Sequence, residues 1–305
     1  MARLDPRELF ELDPDRPDHK GLVLVQALDG FIDAGAARRL AREQLLGTLE
    51  SRVVATFDVD QLYDYRARRP AMVFVEDHWE SYDAPQLVVQ LLEDTAGTPF
   101  LLLSGPEPDV QWERFVEAVR MLVDLLDVRL TIGTNAIPMG VPHTRPTGVI
   151  AHASRKELVA GYEPWINAVQ VPASAGHLIE HRLAEAGYDS MGFAVHVPHY
   201  VSQAEYPAAA AVLLNEIGKA GGLKLPVGDL EEAALTTRTA IDEQVAQAEE
   251  VGAIVRALEV QYDAFVEGRG TSLLPETTRP LPTADELGAE LERFLAQQSK
   301  GDGSV

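Results

Sequence analysis

A strand that is apolar on both faces is the mark of a sheet covered on both sides, and residues 21–28, GLVLVQAL, read as such a strand. A turn, DGFIDAG (29–35), follows it, and AARRLAREQLLGTL (36–49) then repeats apolar residues at helical spacing. The chain therefore opens as strand, loop, helix. RVVATFD, AMVFVED, PFLLLSG, RLTIGTNAIP and MGFAVHV read as further strands; 84–94, 112–126 and 175–186 read as helices between them. Strands that alternate with helices pair in parallel, with helices on both faces. The expected fold is α/β: a three-layer α/β/α arrangement around a mostly parallel mixed sheet over 21–226, preceded by a polar leader, 1–20.

From Asp229 the pattern changes. Ile241, Val245, Ala248, Val255, Leu258, Tyr262 and Phe265 recur at steps that suit an apolar stripe on a helix, and no proline intervenes. The spacing predicts a C-terminal helical extension over 227–268: one helix of about ten turns, or two joined near Gly252. Asp229 with Glu232 has the character of a capping box. A stripe of this length needs a second surface, so a homo-oligomer is expected, with folding back of the helix as the rival. A linker and short helix, 269–298, and a disordered tail, 299–305, complete the chain.

Charge and composition exclude several function classes. A formal net charge of -22 opposes binding to nucleic acid or to an anionic membrane. With no cysteine, there can be no disulfide, thiolate metal site or cysteine nucleophile. No signal-peptide core or membrane-length apolar run is evident, so a cytoplasmic protein is expected.

Four constellations could carry chemistry. DGFIDAG stands where a phosphate-binding loop would, but it lacks the G-x-G-x-x-G spacing, and Asp29 and Asp33 would oppose an anion. Its bland reading is a turn relieved by Gly30 and Gly35, with Asp33 capping the helix. HLIEH (177–181) has the letters of an inverted zinc-protease motif, yet no third ligand can be identified, so His177 and His181 are expected to form a polar helix face, without metal. Ser104 ends a strand without a nucleophile elbow. The tripeptide VPH occurs at 141–143 and again at 197–199, each time at a strand exit. Ligand sites of open α/β sheets form at such ends. His143 and Arg145 from one exit could share a crevice with His199 and Tyr200 from the other; the alternative is structural, with proline fixing each exit and histidine satisfying local carbonyls. No cofactor is called for.

DGFIDAG, LLLSGPEPDVQWERF, AIPMGVPHTRP and FAVHVPHYVSQAEYPAAAAVLL together resemble the proteasome assembly chaperone 2 family in its actinobacterial form, over about Gly21 to Gly222. The resemblance implies a fold similar to that of purine nucleoside phosphorylases, and with it a trimer as the favoured oligomer. It implies proteasome subunits as partners, because eukaryotic and archaeal relatives associate with proteasome α subunits. Many such relatives end in a hydrophobic residue, a tyrosine and any last residue, whereas this chain ends GDGSV. Two functions remain open: a non-catalytic, self-associating, chaperone-like binding protein, or a small-molecule hydrolase or phosphorylase-like enzyme acting at the crevice of the two VPH motifs.

Overall fold

Eight strands form one sheet in a computed structural model that describes residues 4–30, 32–162 and 168–268. In chain order the strands are β1 (Phe10–Leu12), β2 (Leu22–Asp29), β3 (Ser51–Phe57), β4 (Met72–Val75), β5 (His78–Tyr82), β6 (Val88–Glu93), β7 (Pro99–Pro106), β8 (Val128–Met139), β9 (Val149–Ala153) and β10 (Ser190–Pro198). The helices are α1 (Ala37–Thr48), α2 (Trp112–Leu125), α3 (Ala175–Glu185), α4 (Pro207–Gly221), α5 (Gly228–Gln247) and α6 (Glu249–Val266). The sheet runs β1-β3-β6-β7-β2-β8-β10-β9, while β4 and β5 form a separate two-stranded sheet. At the centre β7, β2, β8 and β10 are parallel; β6, β3 and β1 on one flank and β9 on the other join antiparallel.

The apolar run at β2 takes the central place its composition demands, with seven consecutive residues buried. Its alternate side chains enter opposite cores. Val23, Val25 and Ala27 meet α1, α4 and α5, and Leu22, Leu24 and Leu28 meet α2 and α3. Three layers result. The alanines of α4, led in by Pro207 at the helix start, let it lie against both the sheet and α1.

Four expectations need correction. Residues 84–94 hold strand β6 rather than a helix: Val88, Val89, Leu91 and Leu92 are buried between β3 and β7, and a short apolar run of this kind has no periodicity to separate strand from helix. AMVFVED does form a strand, β4, but outside the main sheet. The first twenty residues contribute β1 and the buried Leu9. Of the two forms expected for the C-terminal stripe, the structure has the two helices, parted at Ala248, whose backbone is extended (φ -126, ψ 101), four residues before Gly252. α5 starts at Gly228 and has no side-chain cap; Asp229 lies in its first turn and accepts a hydrogen bond from Gln44. The linker, short helix and tail expected beyond 268 lie outside the described residues.

Candidate functional site

β8 and β10 are parallel neighbours, with Met139 beside Pro198, so both VPH turns emerge at one end of the sheet. After β10 the chain makes a single 3-10 turn, His199–Val201, which aims Tyr200 back at the first motif. The backbone N–H of His143 donates to the Tyr200 hydroxyl at 2.8 Å, and the same hydroxyl meets His143 Nδ1 at 2.6 Å. A carboxylate can only accept, so the ring hydrogen belongs on Nε2, facing Asp242, and in the neutral ring Nδ1 accepts from the hydroxyl. That hydrogen points at Asp242 of α5, 3.0 Å away. Burial pushes the Tyr200 hydroxyl up to about 12, which keeps it a donor at neutral pH. His199 is exposed; its ring touches that of Tyr200 edge-on, with centroids 5.5 Å apart.

The rest of the first motif is also committed. Arg145 makes a two-pronged contact with Asp263 of α6, at 2.8 and 2.7 Å, and reaches Glu259 at 3.3 Å. Thr144 donates to Glu259, and the Tyr262 hydroxyl donates to the carbonyl of Pro146. Beneath these polar contacts Tyr262 and Phe265 pack on Met139 and Val141. The crevice between the VPH turns is thus the seat of the chain's own α5 and α6. Both ring nitrogens of His143 are engaged, leaving no lone pair to take a proton from a substrate.

The DGFIDAG residues lead elsewhere. Asp29 pairs with Arg42 of α1. Gly30 has φ 147, and a Cβ there would come within 2.8 Å of Glu107. Asp33 accepts from the backbone N–H groups of Arg38 and Arg39, capping α1. Ser104 is a core polar contact that donates to Gln90. Of the HLIEH residues, His181 is exposed and pairs with Glu185, His177 is half-buried against Asn135, and Glu180 turns inward between them. Among the described residues no group of three His, Asp or Glu side chains is placed to hold a metal ion.

Glu180 belongs to a constellation the sequence did not point to. Its carboxylate lies flat on the sheet and meets His152 of β9 at 2.7 Å and Gln26 of β2 at 3.3 Å. Glycines make the room: a Cβ on Gly133 of β8 would fall 1.9 Å from Glu180 Oε1, and one on Gly192 of β10 would fall 2.5 Å from His152 Nε2. Burial opposes a charge on His152, but the hydrogen-bonded Glu180 outweighs it and raises the imidazole pKa above its ordinary value. Burial depresses that of His177. Next to this group, β2 and β8 lie side by side, with α1 on one face of the sheet and α3 on the other, a topological switch point. A cavity of about 20 Å³ lies there, lined by Gln26, Thr134, Asn135, Arg38, Glu107 and Ser174. It has the room of a single water molecule, not of a substrate. Gln26 Oε1 faces this polar surround with no hydrogen-bond partner among the described residues. The signals were a lone glutamine in an apolar strand and a histidine closing another.

The fold matches that of known relatives. The sequence profile of the PAC2 family matches residues 27–245. A Mycobacterium tuberculosis protein of unknown function is 47% identical, with 88% of this chain and 94% of that chain covered and a TM-score of 0.81. A Corynebacterium glutamicum protein of unknown function is 38% identical, with 86% and 99% covered and a TM-score of 0.82. A Mycobacterium tuberculosis proteasome-assembly chaperone homologue is 25% identical over 77% of this chain and 100% of its own, at a TM-score of 0.71. No curated protein matches the chain. The match over most of its length, together with the shared α/β fold, places the chain in the PAC2 family.

Proposed function

We propose that this protein is a non-catalytic binding protein that associates with itself, as a trimer by analogy with its fold, and acts on proteasome subunits in the cytoplasm as a chaperone of their assembly. Support for a proteasome-related role comes from the family and from the similarity to a proteasome-assembly chaperone homologue. The observation that carries the non-catalytic reading is the occupancy of the VPH crevice: His143, Thr144 and Arg145 hold α5 and α6 of the same chain. The hydrolase or phosphorylase alternative needed that crevice open. A net charge of -22 favours basic protein surfaces as partners over nucleic acid.

The test is capture of the tagged full-length chain from its native cytosol, with bound proteins identified by mass spectrometry. Proteasome α subunits, or partly assembled rings of them, should be enriched at least ten-fold over a tag-only control. A bound fraction without proteasome subunits sinks the reading.

A further inference from the structure

β9 is the last strand on its flank of the sheet, and its two faces differ. Val149, Ala151 and Ala153 pack into the core shared with α4, so Ile150, His152 and Ser154 face the other way, toward α3. Beside them on β10, Met191, Phe193 and Val195 enter the same core and leave Ser190, Gly192 and Ala194 on the α3 side. The floor beneath α3 is therefore small and polar here. α3 itself sends Ala175, Ile179 and Leu183 into the core with α2 and turns another stripe over this floor. Between helix and strands lies a cleft of about 300 Å³, lined by His152, Ser154, His177, His181, Ala184 and Ser190. Its size is at the lower end for small-molecule sites. Glu180 borders both this cleft and the water-sized cavity at Gln26.

The uncommitted polar groups of the cleft are donors. Ser190 is 1% exposed, and its hydroxyl has no hydrogen-bond partner among the described residues. Ser154 Oγ accepts the Ser190 backbone N–H at 3.1 Å and keeps its own proton to give. His152 gives Nε2 to Glu180, and its Nδ1, which diverges from that contact, bonds to no described residue. Because Glu180 favours the charged ring, that second nitrogen carries a proton in the imidazolium form. The other two histidines are engaged, His177 with Asn135 and His181 with Glu185. One cationic N–H and two hydroxyls suit a single anionic oxygen group. Glu180 and Glu185 stand close by in a chain of net charge -22, which disfavours a dianion such as phosphate. We propose that the cleft between α3 and β9 binds a small monocarboxylic acid, its carboxylate held by His152, Ser154 and Ser190 and its short apolar body lying against Ala184. The inference goes beyond the chaperone reading above and requires neither self-association nor a proteasome partner.

Calorimetric titration of the full-length chain at neutral pH tests it, with sodium isovalerate as the probe and isovaleramide and inorganic phosphate beside it. Isovalerate should bind saturably, with a dissociation constant on the order of 1 mM for so small a ligand. The neutral amide and phosphate should each bind about ten-fold more weakly or worse. His152→Gln should weaken isovalerate by about ten-fold or more, since it removes the charged donor. Ser190→Ala leaves the contact of His152 with Glu180 in place and deletes a buried hydroxyl that no described residue uses. It should weaken isovalerate several-fold without lowering the thermal midpoint, and it decides the matter should the histidine variant misfold. In the wild type, NMR should show the His152 imidazole pKa rising as isovalerate saturates the protein, because a bound anion and the ring proton favour each other. No saturable binding at tens of millimolar, phosphate or the amide bound as tightly as isovalerate, or isovalerate binding untouched in both variants overturns the proposal. Each of these results leaves the capture of proteasome subunits to succeed or fail by itself.

Discussion

His196 has no exposed surface in β10, and burial drives its pKa down from 6.5 to about 4. Between those values the unfolded chain binds a proton that the folded chain refuses. The stability this neutral imidazole permits is fully present above pH 6.5 and is lost as pH falls toward 4, on the order of 3 kcal/mol in all. His152 works in the opposite sense. Its pKa is raised, so its contribution is present below the ordinary histidine value and declines as pH rises through the raised one. Urea unfolding of the wild type and of His196→Gln between pH 4 and 7.5 separates the two. The variant should lose most of the acid-side slope and keep the alkaline one; an identical acid slope in both would clear His196 of the effect.

α6 is held to β8 by one short turn, and the consequence can be measured. Arg145 bonds to Asp263 through two nitrogens and to Glu259 through a third, and its hydrogen bonds lower the Asp263 pKa. Arg145→Ala should speed amide exchange across 249–266 by roughly ten-fold, since partly exposed pairs contribute only modestly. Exchange in β8 itself should not change. Uniform exchange in both proteins would mean that the contact of Tyr262 and Phe265 with Met139 and Val141 holds the helix unaided. The same elements mark the limits of sequence reading. Helices α1 and α2 and strands β2, β7, β8 and β10 were legible because apolar period and length agree there. β6 was not, because its apolar run fits either period, and the hairpin's second strand, HWESY, has too few apolar residues to announce itself. Repetition of VPH exposed a real meeting of His143 with Tyr200. It could not say that α5 and α6 fill the space, since Asp242 and Asp263 are spaced like ordinary surface acids. Gln26, His152 and Glu180 meet only because β2, β9 and α3 converge, and the two glycines that let them do so carry no mark of it in the chain.

Taken as one molecule, the protein uses its C-terminal helices as a third part of its core. Leu230 and Ile241 of α5 join the cluster beneath α4, and Val255 and Leu258 of α6 are buried as well. At about 1.5 to 3 kcal/mol for each fully buried aliphatic side chain, a chain ending at Val227 should lose several kcal/mol of stability. Its thermal midpoint should fall and a dye for exposed apolar surface should bind; an undiminished midpoint would show that α5 and α6 are dispensable to the fold.

The sheet order carries a further consequence for how the chain is made. β2 lies between β7 and β8, and Leu24 pairs with Leu101, 77 positions later. At the usual pace of synthesis, roughly 5 to 20 residues per second, this central strand emerges from the ribosome about 4 to 15 seconds before its first neighbour exists. During that interval only α1, following directly behind it, can shield one of its faces.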